Sequence, residues 1–124
     1  MRALRIPAQI LRYLQQELAL RTDRGLHVTA GIIETTDHKR DDEFHIVVHD
    51  LAADDQSVAN ILSMAGDTQR GIALHILYNS TTNLLRLVDR PGRPTTIIPP
   101  EHICELYQDI RSALDHAPRQ LAVA

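Results

Sequence analysis

The sequence has little of the cysteine and aromatic content on which stapled or nucleic-acid-binding folds rely. Cys104 is the only cysteine, so no disulfide can form within the chain and a disulfide-stapled secreted scaffold is excluded. Tryptophan is absent and the aromatic residues are Phe44, Tyr13, Tyr78 and Tyr107, which leaves little material for stacking on bases or sugars. The scarcity of cysteine favours a reducing, cytoplasmic location.

Excess basic charge and long apolar runs are also lacking. The 13 Lys and Arg residues are outnumbered by 16 Asp and Glu residues, which gives a formal net charge of −3. A protein that binds a phosphate backbone needs clustered Lys and Arg instead. No stretch approaches the roughly 20 apolar residues of a transmembrane helix, and Gln9 and Arg12 interrupt the apolar run near the amino terminus. We therefore expect no nucleic-acid partner, no membrane association and no classical export signal.

The hydrophobic pattern predicts a single α+β domain spanning residues 1–124. The 44% hydrophobic content is enough for one continuous core without a metal or disulfide. Helical spacing of apolar residues predicts three helices, which begin at Pro7, at Asp54 or Asp55, and at Pro99. Alternation of apolar and polar residues predicts five strands, at 26–36, 43–51, 71–78, 83–89 and 95–98. The result is an antiparallel five-stranded sheet in the order α-β-β-α-β-β-β-α, with residues 118–124 as a frayed tail.

Apolar side chains are predicted on both faces of the sheet. A sheet with one solvated face would alternate more cleanly between apolar and polar residues. A helix on each side, or a second copy of the protein, must therefore cover the second face. We predict that a homodimer interface forms there, from Ile33, Val47, His75, Leu77, Leu85 and Leu87. His75 is expected either in that interface or as a core histidine with a hydrogen-bond partner.

The predicted order of elements resembles that of the Roadblock/LC7 domain over nearly the whole chain. Profilin-like and secretion-chaperone-like sandwiches have comparable successions of helices and strands. Members of the Roadblock/LC7 family usually pair into homodimers that serve as scaffolds or regulators of small GTPases. The resemblance therefore implies a homodimer that serves as a scaffold or regulator.

Histidines on the first predicted hairpin are the candidate metal ligands. His45 and His49 share a face of one strand but lie roughly 13 Å apart by strand rise, too far to bind one ion directly. If paired residue numbers sum to 78, His49 lies opposite Thr29 and diagonal to His27. His27, His49 and Asp50 could then hold zinc or another divalent ion. A metal site normally needs three or four ligands, however, so polar-face histidines are the simpler interpretation.

Cys104 is the other candidate for chemistry. It is predicted in the first turn of the last helix, where the helix dipole can activate a thiol. His102 is about 200° away around that helix and cannot reach the sulfur. The sequence therefore favours a small buried apolar role for Cys104 beside the apolar stripe of the helix.

Taken together, the sequence predicts a small non-enzymatic protein-binding module, such as an adaptor, chaperone or inhibitor. It is expected to act as a homodimer, to bind a protein partner and to need no cofactor. No serine stands in a nucleophile elbow, and no glycine-rich loop follows a strand and opens a helix. The alternative is a small metal-dependent enzyme or sensor that uses His27, His49 and Asp50.

Overall fold

The computed structural model describes residues 5–33, 42–52, 57–66, 70–88 and 96–116. Within these ranges the chain forms three α-helices and an antiparallel five-stranded sheet, which confirms the predicted fold class and element order. The predicted caps Asp54 and Asp55 and the predicted tail 118–124 lie outside the described residues. The elements are α1 Arg5–Ala19, β1 His27–Gly31, β2 Glu43–His49, α2 Val58–Ala65, β3 Ile72–Asn79, β4 Leu84–Leu87, β5 Thr96–Ile98 and α3 Ile103–His116.

The five strands follow one another across the sheet in the order β1-β2-β3-β4-β5. The sequence left this order open. All four neighbouring pairs are antiparallel, so the chain forms a meander in which α2 joins the second strand to the third. A bulge between Val48 and His49 shifts the register at one end of the β2–β3 ladder. The bulge lets Ile72 pair with His49.

The first face of the sheet carries the main hydrophobic core beneath α1 and α3. Each helix buries one apolar stripe at helical spacing against this face, because its polar residues occupy the opposite side. The two helices also contact each other: the rings of Tyr13 and Tyr107 stack with centroids 4.1 Å apart. The buried members of this core are Ile10, Leu14, Ile46, Val48, Leu74, Ile76, Tyr78, Leu85, Ile98, Leu106, Ile110 and Leu114.

Helix α2 lies on the second face, over β1 and β2. Its buried residues Val58 and Ile61 pack on Val47, together with partly buried Ile33 and Ile72. The predicted requirement for cover on the second face is therefore met in part by a helix of the same chain. This placement puts Val47 and Ile33 beneath α2 rather than at an open surface.

Leu85 and Leu87 lie on the first face, in contrast to their predicted position beside Leu77. The β3–β4 register pairs Leu85 with Tyr78 and Leu87 with Ile76, both of which belong to the main core. Leu85 is completely buried there. Leu77 pairs with Arg86 and lies on the second face. The prediction assigned Leu85 and Leu87 to the wrong face, because the alternation of β4 does not by itself give its register with β3.

Local sequence explains both ends of α2. The Ser57 side chain accepts a hydrogen bond from the backbone N–H of Asn60 and caps the amino terminus, which satisfies one of the free amides of the first turn. Gly66 ends the helix with a φ of 66° and a ψ of −164°, a backbone conformation that is open essentially only to glycine. The three helices have 15, 8 and 14 residues. In the described ranges none is long and apolar enough to cross a bilayer.

Candidate functional site on the second face of the sheet

The half of the second face formed by β3, β4 and β5 is the candidate functional surface. We call it the open half. Helix α2 packs on the neighbouring β1 and β2, and neither hydrophobic cluster of the described residues includes Leu77, Leu84 or Ile97. The Ile97 side chain is 51% exposed. The strand registers place six side chains on the open half: His75, Leu77, Asn79, Leu84, Arg86 and Ile97.

A depression of about 220 Å³ lies across β2, β3 and β4 on this face, on the side of the open half away from β5. Leu77 and Leu84 supply its apolar lining, while Glu43 and Arg86 contribute opposite charges. Asn79 and Thr82 complete the lining at the end nearest the β3–β4 turn. A depression lined by both apolar and charged side chains is suited to an apolar side chain presented by a polar surface.

Two histidines form a direct hydrogen bond beside this depression. Nδ1 of His45 on β2 lies 2.9 Å from Nε2 of His75 on β3. The ring centroids are 5.2 Å apart. This is close to the sum of the nitrogen–nitrogen distance and the distance from each centroid to its own nitrogen, so the two nitrogens point at each other. A neutral imidazole offers one donor and one acceptor. One ring therefore donates to the other while both are uncharged.

Burial keeps this histidine pair neutral. The His75 side chain is 8% exposed, and this burial, with a smaller contribution from His45, lowers the pKa of His75 to about 4. The pKa of His45 is also lowered by burial, against a weaker opposing effect of Glu43. Both imidazoles are thus uncharged at neutral pH, and neither supplies a cation to the surface.

The candidate metal ligands His27 and His49 lie directly opposite each other. Their residue numbers sum to 76 rather than the predicted 78. One strand is therefore shifted by two residues relative to the predicted register. The ring centroids are 6.0 Å apart. Nδ1 of His49 accepts a hydrogen bond from the backbone N–H of Leu51, so Nε2 carries the proton and donates to the Thr29 hydroxyl at 2.8 Å. The buried His49 therefore uses both ring nitrogens within the fold.

The environment of His49 gives it a structural role. Burial lowers its pKa, and the neighbouring His27 lowers it further. A metal ion could reach Nδ1 only by displacing the Leu51 amide. Among the described residues, no three His, Cys, Asp or Glu side chains converge closely enough to hold a metal ion.

Cys104 is exposed on α3, so the predicted buried role was wrong. The helix begins only at Ile103, after a 3₁₀ turn at Pro100–His102. Of the predicted stripe, Leu106, Ile110 and Leu114 are fully buried, and Cys104 lies away from this line. His102 contacts Glu105 at 3.9 Å.

Comparison of the chain with protein-family models, with curated proteins and with solved structures finds no match. The likeness to the Roadblock/LC7 domain therefore remains a likeness in the order of elements. The geometry of the open half is the basis for any functional conclusion.

Proposed function

We propose that this protein is a small, non-enzymatic, cytoplasmic protein-binding module that acts through the open half of its sheet. The observation that carries the proposal is the exposed Ile97 on the same face as the partly buried Leu77 and Leu84, on a sheet whose other half is covered by α2. Removing apolar surface from water is favourable by about 25 cal/mol per Å². A partner that covers these side chains gains that free energy.

The composition of the open half supports a protein partner over a small substrate. Protein interfaces combine an apolar centre with a polar rim and are enriched in arginine. Leu77 and Leu84 supply apolar surface and Asn79 and Thr82 are polar, while the exposed Arg86 lies between Leu77 and Ile97 on the middle strand of the open half. Arginine is also enriched among residues that contribute most to protein binding.

Replacing Ile97 with aspartate is expected to abolish partner capture without unfolding the protein. The side chain is half exposed in the isolated chain, so the charge has access to water there but becomes buried in a complex. Capture of partner proteins from cells of the native host should fall at least about tenfold, the effect of 1.4 kcal/mol. Quantitative mass spectrometry of the bound proteins measures this loss.

The matched control is Gln108→Asp, which introduces the same charge on the exposed side of α3. Circular dichroism should show that both variants are folded. An unchanged set of captured proteins with Ile97→Asp would remove the open half as the binding surface.

The alternative function is a metal-dependent enzyme or sensor that uses His27, His49 and Asp50. The pairing of His27 with His49 is the observation in its favour. Calorimetric titration with zinc is expected to show no binding tighter than about 1 mM, because His49 has both nitrogens engaged and zinc sites need three or four ligands. Micromolar binding that His49→Ala abolishes would revive this alternative.

A further inference from the structure

The second face has room for one more helix. Five strands spaced about 4.8 Å apart span about 19 Å between the outer strands. Packed helices lie about 8–10 Å apart, so a face of this width holds two helices side by side. The first face holds α1 and α3. In the described part of the chain the second face holds only α2, over β1 and β2.

The outward side of α2 is unusually suited to burial. Its eight residues, VANILSMA, include no charged side chain. Its inner side packs on Val47, whereas Ala59, Ser63 and Met64 are exposed. Met64 is 48% exposed. A helix without a charged face is typical of one that is covered on both sides.

We propose that a second copy of this chain covers the open half, with α2 of each copy packed on the open half of the other. A two-fold axis parallel to the sheets then relates the two copies. The two α2 helices lie side by side in one layer between two sheets, and each sheet receives the second helix for which it has room. This inference rests on the proposed function and names its partner.

Charge and shape favour this occupant over an unrelated apolar segment. The carboxyl end of α2 carries the negative end of the helix dipole and has no basic residue in its last turn, while Arg86 on the open half is positive. Ala59 and Ser63 are small, so α2 can approach the sheet of the other copy closely. Met64 supplies a long, flexible side chain that fits irregular cavities. It enters the depression lined by Leu77 and Leu84.

The test is the oligomeric state of charge variants, measured by sedimentation equilibrium. Wild type is expected to dimerise, with twice the monomer mass of 13.9 kDa. Met64→Lys replaces an apolar side chain with an ammonium group that must lose hydration between Leu77, Leu84 and Arg86 of the second copy, and it should weaken dimerisation by at least about tenfold, or 1.4 kcal/mol. Arg86→Glu should weaken it as well, by setting a carboxylate against the negative end of α2. In the double variant M64K/R86E the new charges attract and should restore much of the affinity.

Gln108→Lys on α3 is the matched control and should leave the dimer unchanged. A second measurement does not depend on stability: in a Cys104→Ser background, Met64→Cys and Leu84→Cys proteins mixed and oxidised should give a disulfide-linked heterodimer. A wild type that stays monomeric up to about 100 μM, and so has a dissociation constant above that value, would overturn the inference. A dimer whose dissociation constant is unchanged by Met64→Lys would also overturn it.

These outcomes separate the inference from the proposed function. A monomeric wild type that still loses its captured partners on Ile97→Asp retains a binding surface but not a second copy. In a dimer whose captured partners are unaffected by Ile97→Asp, the open half serves self-association and those partners bind another surface.

Discussion

Replacing Leu85 with lysine is expected to unfold the protein. Leu85 is completely buried in the main core, opposite Tyr78 and Ile98, where an ammonium group would lose its hydration without gaining a partner. The expected loss is about 4 kcal/mol or more, compared with total stabilities of about 5–15 kcal/mol for domains. Urea denaturation followed by circular dichroism measures it.

The control is Leu77→Lys, on the adjacent strand but on the opposite face. Leu77 pairs with Arg86 on the second face and is only partly buried in the single chain, so at protein concentrations where the chain is monomeric its replacement should cost about 1 kcal/mol or less, as at most surface positions. The ratio of the two effects tests the assignment of faces directly. A cooperative, stable Leu85→Lys protein, or equal losses in the two variants, would contradict the β3–β4 register.

The elements of the fold were readable from the sequence, but the faces were readable only in part. Strand β4 illustrates the limit. Its sequence Leu84-Leu85-Arg86-Leu87 has apolar residues on both faces, so alternation alone does not say which face is inside. The arginine was the usable signal: a charged residue is rarely buried, so Arg86 marks the outer face and places Leu85 and Leu87 in the core.

The register of the first hairpin shows a related limit. Placing Val28 and Ala30 on the same face as Ile46 and Val48 requires the paired numbers to sum to an even value, and this parity was correctly predicted. The structure has a sum of 76 rather than 78. A shift of two residues along one strand keeps every side chain on its face, whereas a shift of one residue would not. The hydrophobic pattern therefore cannot distinguish the two registers.

The histidine pair on the second face could not have been predicted from the sequence. His45 and His75 lie on strands that are neighbours in the sheet but are separated along the chain by α2. No turn between them fixes a register, in contrast to a tight hairpin. The strand order itself was open, so no pattern placed β2 beside β3.

This pair leads to the second large expected effect, a loss of stability in mild acid. The folded-state pKa of His75 is lowered to about 4 from an ordinary value of 6.5, so protonation favours the unfolded chain. The free energy of unfolding is not reduced by His75 above pH 6.5, where the residue is neutral in both states. It falls as the pH decreases toward 4, because the unfolded chain then binds a proton that the folded chain does not. The loss over this window is about 3 kcal/mol, at about 1.4 kcal/mol for each unit of pKa difference. His45 and His49, whose pKa values are also lowered by burial, add to it in the same direction.

Urea denaturation at a series of pH values measures this dependence, and His75→Gln isolates the share of His75. Glutamine keeps a polar atom near the position of Nε2 but does not titrate, so the slope between pH 6.5 and 4.5 should become shallower. His27→Gln is the matched control, because the His27 side chain is exposed. Glu17, whose pKa is lowered by its hydrogen bond with Arg21, loses its contribution only below about pH 4.5 and does not obscure the window. If stability is flat from pH 7 to 5, or if His75 titrates near 6.5 by NMR, then His75 is open to water and the second face is not built as described.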